Sequence, residues 1–289
     1  MIEEFAPAKV NLTLHVGPVR ADGYHPVDSL VVFADRGDRL SVSPASDFKL
    51  VIEGEGAETL NAEAENLVLK AAHLLHEVGG LPASTGAHIH LNKTIPLGSG
   101  LGGGSANAAA ALRALNTLWT LDWPVEKLAD LGAQIGSDVP ACVWSKPLHM
   151  TGRGEQITLL TEWPELSGVL CLPGSSVSTA RIFSAYDANL PDALRLSAVA
   201  PTHDVEAALA MVNAGTNDLE TVAIQQAPVI GHAITALRGE HRPALVRMSG
   251  SGSTVFAIHN AYETAELATR ALTQTYPDWR FVPVRLGGT

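Results

Sequence analysis

The chain has 289 residues, 46% of them hydrophobic and 17% charged, and a formal net charge of −11. That length buries a large core and favours one or two domains, of which two are expected here, whereas the acidic balance disfavours nonspecific binding to nucleic acid polymers or anionic membranes, which needs spread-out positive charge. With no run of about 20 apolar residues and no basic-plus-apolar leader at Met1-Ile2-Glu3-Glu4, a soluble cytoplasmic protein without a membrane partner is expected.

In chain order, sheet comes first. Residues 5–16 alternate as a strand, and residues 27–35 and 40–53 continue a mostly antiparallel β region broken by Asp-Gly and Arg-Gly turns. Lys9 lies in an otherwise apolar strand, where a charge either functions or snorkels to solvent from the strand end. Asn11, two positions on, shares its face and is a candidate substrate contact. Tyr24 and His25 follow an Asp-Gly turn, which presents their rings from a loop; an aromatic face and an imidazole suit a nucleobase, and packing within the turn is the alternative.

A helical apolar pattern over residues 64–78 closes at Gly79-Gly80. A strand over residues 87–92 then leads into Pro96-Leu97-Gly98-Ser99-Gly100-Leu101-Gly102-Gly103-Gly104-Ser105, followed by the helix-forming run 106–115. Glycine costs conformational entropy that nothing in this loop repays by packing. Backbone N–H groups at a helix N-terminus, however, make a phosphate site, so the loop points to a nucleotide. No Gly-Lys-Ser/Thr occurs, which removes the Walker form. Gly98, Gly100 and Gly103 match the dinucleotide form, and Asp122 lies about 20 residues further on, where a ribose-binding acid would be sought. Yet Asp122 sits in a turn opening the next helix, and Pro96 breaks the approach to the loop, so an NAD-dependent oxidoreductase lacks its second parallel strand.

Residues 124–132 form a short helix, and Gly136-Ser137-Asp138-Val139-Pro140 is a turn between apolar stretches. Asp138 there is either a helix cap or a base within reach of an acceptor hydroxyl. Strands are expected over residues 142–151 and 156–160, with the softest boundary over residues 161–167. The second half continues with a strand over 168–172, helices over 179–187, 205–212 and 222–237 (the last broken or kinked at Pro228), strands over 244–248 and 254–258, a helix over 262–273 and a strand over 280–284. Phe183 reads by spacing as a core helix residue. Cys142 and Cys171 lie in apolar runs without Cys-x-x-Cys spacing and are expected as buried reduced thiols. His73 with His76, and His88 with His90, lack a third ligand and read as solvated or structural. Strands and helices mixed without strict βαβ alternation favour α+β layers.

Four segments together carry a resemblance: Pro7-Ala8-Lys9-Val10-Asn11-Leu12, Asp22-Gly23-Tyr24-His25, the loop from Pro96 to Ser105, and Arg247-Met248-Ser249-Gly250-Ser251-Gly252. The loop and the last segment resemble the GHMP kinase superfamily of small-molecule kinases, which includes galactokinase, homoserine kinase and mevalonate kinase. The Lys9, Tyr24-His25 and Asp138 segments resemble its branch acting on a cytidyl diphosphate of methylerythritol in the non-mevalonate isoprenoid pathway, with another small-molecule alcohol kinase of the superfamily or a non-catalytic nucleotide-binding relative as the alternatives.

The resemblance implies a two-domain α+β fold, with a ribosomal-S5-like ATP-binding domain over residues 1–162 and an α/β sandwich substrate-side domain over residues 163–289. That boundary is approximate, and the last strand has the option of returning to the first domain. ATP and Mg2+ are the implied cofactors, the γ-phosphate passing to the 2-hydroxyl of the methylerythritol moiety. Pro96, Gly98, Gly100, Leu101, Gly102, Gly103, Gly104 and Ser105 would wrap the ATP phosphates, Ser105 also touching the metal. Asp138 and Lys9 would flank the acceptor hydroxyl; Tyr24, His25, Thr179 and Phe183 would hold the cytidyl group, and Gly250, Ser251 and Gly252 would border the diphosphate. Nothing marks an obligate protein partner. Two departures from the family pattern are Ala106, where relatives often carry a second hydroxyl, and Arg153, where an apolar residue is commoner.

Overall fold

The computed structural model describes residues 1–61, 66–187, 193–239 and 241–287. The expected helix start at residues 64 and 65 lies outside them. The chain divides into two compact units, each drawing on several segments of the sequence. Unit 1 is Met1–Lys9, Arg36–Leu97 and Gly102–Ser145, and unit 2 is Val10–Asp35, Gly98–Leu101 and Lys146–Thr289.

In unit 1, the second part of β3 (Val27–Ala45) pairs antiparallel with β5 (Gly86–Lys93), Leu40 opposite Leu91, and β4 (Phe48–Gly54) runs parallel to β5, Ile52 opposite Leu91. β1 (Ile2–Asn11) joins β3. The expected Arg36-Gly37 turn is absent because the strand runs straight through it. Gly37 instead permits close approach: a Cβ there would lie 2.7 Å from the Cα of Pro7.

Four helices complete the unit's described core: α2 (Leu67–Val78), α3 (Gly103–Leu118), α4 (Val125–Gly132) and α5 (Val139–Trp144), after the short α1 (Ala57–Asn61). Asn66 caps α2 by accepting from Val68 N–H at 2.9 Å, and Val68, Ala71, Ala72 and Leu75 form its buried face at i, i+3, i+4, i+7. Helix α3 buries Ala106, Ala108, Ala109, Ala110, Ala111 and Ala114, whose small side chains favour helix and let α2 and α5 pack close. Cys142 corrects an expectation, since it lies in α5 and not in a strand, which begins only at Leu148. A short apolar run does not by itself separate a buried helix from a strand. Arg113 on α3 secures the end of α5, donating from Nη1 to Cys142 O at 2.9 Å and Val143 O at 3.2 Å. The paired histidines are structural here: His73 and His76 pack on Phe48, while His88 and His90 meet Asp47 and Glu53.

Unit 2 centres on the antiparallel order β11-β8-β10-β9, formed by Arg280–Leu286, Leu166–Leu172, Val255–His259 and Leu245–Met248. Near the start of β3, His15–Val16 (β2) and Leu148–Thr151 (β6) pair with it, and Gln156–Leu159 (β7) pairs with β6. Helices α6 (Thr179–Tyr186), α7 (Val205–Ala214), α8 (Glu220–Gln226), α9 (Val229–Leu237) and α10 (Tyr262–Thr275) belong to this unit. The break expected at Pro228 is real, because that proline caps the start of α9. Both cysteines are free and buried, and burial pushes each thiol up to about 12. Among the described residues no helix is long and apolar enough to cross a membrane.

Arg247 is the polar pin of unit 2. It is 8% exposed and donates to Leu12 O at 2.6 Å, Val212 O at 3.0 Å and Gly215 O at 2.7 Å. Burial pulls its pKa below the ordinary arginine value, while Glu220 opposes the shift. Arg247→Met is therefore expected to lower unfolding free energy by about 2–4 kcal/mol, because three buried carbonyls lose their donor. A urea titration checks this, and an unchanged midpoint would refute it.

Candidate active site

The charged centre lies in unit 1. Lys9 Nζ sits 2.7 Å from Asp138 Oδ2, with the lysine side chain 4% and the aspartate 37% exposed. Asp138 stands at the N-cap of α5 with Pro140 just inside, as the Gly-Ser-Asp-Val-Pro turn predicts, but its side chain makes no capping hydrogen bond. The carboxylate is turned to the ammonium instead of to its own helix. A strand places a buried cation and a helix start supplies its anion, leaving part of that anion open to a ligand.

The glycine loop abuts this pair. Gly102 adopts φ +64 at the N-cap of α3, and a Cβ on it would lie 3.2 Å from both Cβ and Cε of Lys9. With no side chain at Gly102, the first N–H groups of α3, at Gly103, Gly104 and Ser105, have no capping side chain among the described residues. Such a cluster of free donors at the positive end of a sixteen-residue helix suits a phosphate. The approach to the loop is anchored by a pair that sequence reading missed: Lys93 Nζ meets Asp38 Oδ2 at 2.6 Å, both side chains buried, and Asp38 Oδ1 accepts from Thr94 N–H at 2.6 Å and Ile95 N–H at 2.8 Å. Pro96 follows directly. The available signal was a lysine in a strand that otherwise alternates, just before the loop.

Unit 2 holds the first part of the loop and the second glycine segment against each other. Gly100, at φ +77, comes so close that a Cβ would lie 2.6 Å from Ser249 O and from Gly252 O. Ser249 Oγ donates to Gly100 O at 3.2 Å and accepts from Asn11 N–H at 3.1 Å. Leu101 is fully buried and anchors the loop by its side chain. Asn217, also unforeseen, donates from Nδ2 to Met248 O and Gly250 O, both at 2.8 Å. Asn11 donates from Nδ2 to Ser29 Oγ at 2.8 Å while its buried Oδ1 has no hydrogen-bond partner among the described residues. Thr179 Oγ1 and Ser251 Oγ are 2.9 Å apart.

The aromatic group is also in unit 2. His25 is 9% exposed, and its ring lies 5.3 Å from that of Phe183 at an interplanar angle of 39°. Its Nδ1 faces Gly17 O at 2.9 Å and its Nε2 faces Asp187 Oδ1 at 3.0 Å. Both ring nitrogens are thus engaged by oxygen acceptors. Tyr24 is 51% exposed, and the Arg153 guanidinium lies over its ring at 5.0 Å, which gives that departure from the family pattern a place beside the candidate base site. Asp122 lies in the turn after α3 at φ +52, and no strand stands between α3 and α4, so the oxidoreductase alternative lacks the element it needs.

Comparison with known proteins is consistent along the whole chain. The family model described as GHMP kinases N terminal domain matches residues 66–146, and that described as GHMP kinases C terminal matches residues 197–278. The 4-diphosphocytidyl-2-C-methyl-D-erythritol kinase of Parvibaculum lavamentivorans is 42% identical over 288 residues, covering 99% of each chain. The enzyme of the same name from Cereibacter sphaeroides is 44% identical, covering 100% of each. A crystal structure of 4-(cytidine 5'-diphospho)-2C-methyl-D-erythritol kinase superposes with a TM-score of 0.78 at 33% identity, covering 100% of both chains. Homoserine kinase from Cytophaga hutchinsonii, at 20% identity and a TM-score of 0.75 over 100% of this chain and 94% of its own, shares the fold. The chain belongs to the GHMP kinases, in the family of the 4-diphosphocytidyl-2-C-methyl-D-erythritol kinases.

Proposed function

We propose that the protein is an ATP-dependent phosphotransferase that phosphorylates the 2-hydroxyl of 4-diphosphocytidyl-2-C-methyl-D-erythritol in isoprenoid precursor synthesis. The observation that carries the reading is the Lys9–Asp138 pair set against Gly102 at the head of α3. Phosphoryl transfer needs an in-line acceptor and neutralisation of moving charge more than covalent help from the protein. Asp138, the more exposed partner, takes the proton of the acceptor hydroxyl as its oxygen bonds to the γ-phosphorus and the bond to the ADP oxygen breaks. Lys9 stabilises the oxygen that gains charge. The N–H groups of Gly103, Gly104 and Ser105 hold the phosphates. Phe183 and Tyr24 hold the cytosine, with the His25 ring packed on Phe183, and the segment from Ser249 to Gly252 borders the diphosphate.

Among the described residues no three His, Cys, Asp or Glu side chains converge on a common point. A hard cation that keeps most of its waters and takes phosphate oxygens fits so sparse a donor set, with Ser105 as the protein ligand. When bound, Mg2+ would supply neutralisation of the negative charge on the phosphates.

Asp138→Asn is expected to keep the fold and ATP binding while lowering turnover by at least about two orders of magnitude, the scale of a positioned base. ADP release measured with ATP, magnesium and the cytidyl substrate checks it. Near-normal turnover in the folded variant would remove Asp138 from the chemistry, and turnover of a different alcohol alone would keep the kinase and reject this substrate.

For the loop, Gly103→Val should abolish ATP binding with a smaller effect on the cytidyl substrate, because a Cβ there already lies 3.4 Å from Ile95 Cγ2, so a branched side chain pushes the first turn of α3 and its N–H groups out of place. Calorimetry giving unchanged nucleotide affinity would place ATP elsewhere.

Replacing Tyr24 or Phe183 by Ala should weaken binding of the cytidyl substrate by about 1–3 kcal/mol, the range for base–aromatic stacking. The KM for ATP should stay near its original value. Unaltered substrate constants in both variants would move the base away from these rings.

A further inference from the structure

Thr179, Phe183 and Asp187 are spaced four residues apart, the first two within α6 and Asp187 at its C-cap. At 3.6 residues per turn, side chains four apart stack along one helix face, each about 6 Å further along the axis. On that face Thr179 touches Ser251 of the segment assigned to the diphosphate, and Phe183 packs against His25. Asp187, 42% exposed, meets His25 Nε2. The face therefore runs from phosphate to ring to a carboxylate at its far end. A nucleoside diphosphate runs in the same order, from diphosphate to base face to base edge.

Because His25 Nδ1 faces Gly17 O and Nε2 faces Asp187 Oδ1, both ring nitrogens already have a partner within the protein. The acceptor beside it is the Asp187 carboxylate, whose second oxygen has no hydrogen-bond partner among the described residues. Cytosine presents an amino group, a donor, where uracil presents a carbonyl oxygen, and a carboxylate accepts from the first and repels the second. We infer that Asp187 is the residue that selects cytosine over uracil, by accepting a hydrogen bond from the 4-amino group of the substrate. The inference rests on the cytidyl reading of the His25–Phe183 site.

The test compares kcat/KM for the cytidyl substrate and its uridyl analogue in the unaltered chain, Asp187→Asn, Asp187→Ala and Phe183→Ala. The unaltered chain is expected to prefer the cytidyl substrate, and both Asp187 variants to lose about tenfold or more of that preference. Asp187→Asn should also turn over the uridyl analogue faster than the unaltered chain does. Its NH2 offers the uracil oxygen a donor in place of a repelling carboxylate, a gain that loss of local structure does not produce. An undiminished preference in both Asp187 variants, with cytidyl binding weakened in Phe183→Ala, overturns the role of Asp187 and leaves the base at Phe183. If Phe183→Ala has no effect either, the cytidyl reading of this site falls together with the inference. The absence of any preference in the unaltered chain also overturns it.

Discussion

A lysine buried to 4% exposure in a strand must find an anion, and the placement of Asp138 follows from that demand. The six-residue α5 starts where it does because Gly136 and Pro140 frame a turn, and Arg113 holds the other end of the helix by its carbonyls. The cap position is then left without its usual hydrogen bond. The stabilisation a capping carboxylate contributes, about 1 kcal/mol, is small beside the cost of leaving an ammonium buried and alone. An ion pair with one buried and one partly open partner is held in position and still available to a substrate.

Two glycine segments do different physical work. Gly102 heads α3 with a positive φ and no side chain, leaving helix N–H groups free beside Lys9. Gly100 is about contact between backbones: only a residue without Cβ fits against the carbonyls of Ser249 and Gly252. Asn217 and Ser249 then tie that second segment by side-chain hydrogen bonds to its neighbours. A loop poor in side chains is kept in one shape by donors brought from other parts of the chain, which lowers the ordering cost at the moment of binding. The buried Asp38–Lys93 pair does the same for the strand end that enters the loop.

Around His25 the packing separates stacking from hydrogen bonding. Its ring is held on both nitrogens and lies against Phe183, so it acts as a fixed wall, and the polar edge of the group is a carboxylate contributed by the end of α6. A buried ring with a partner on each nitrogen is held rigidly in its surroundings.

By itself the sequence determined the local elements and the family. The i, i+4 pattern of α2, the glycine loop before an alanine-rich helix and the break at Pro228 are legible because each depends on neighbours a few residues away. The same locality misled at Arg36-Gly37 and Cys142. There, a glycine needed for close approach looked like a turn, and an apolar run looked like a strand. Tertiary structure alone decided that the Asp138 side chain faces Lys9 rather than its own helix, that Asp38 supports the loop, and that Asp187 shares His25 with Gly17. Each of these is a contact between residues far apart in the chain. Spacing along a strand or helix carries no information about which distant polar group will satisfy a buried one, since that is fixed only when the elements pack.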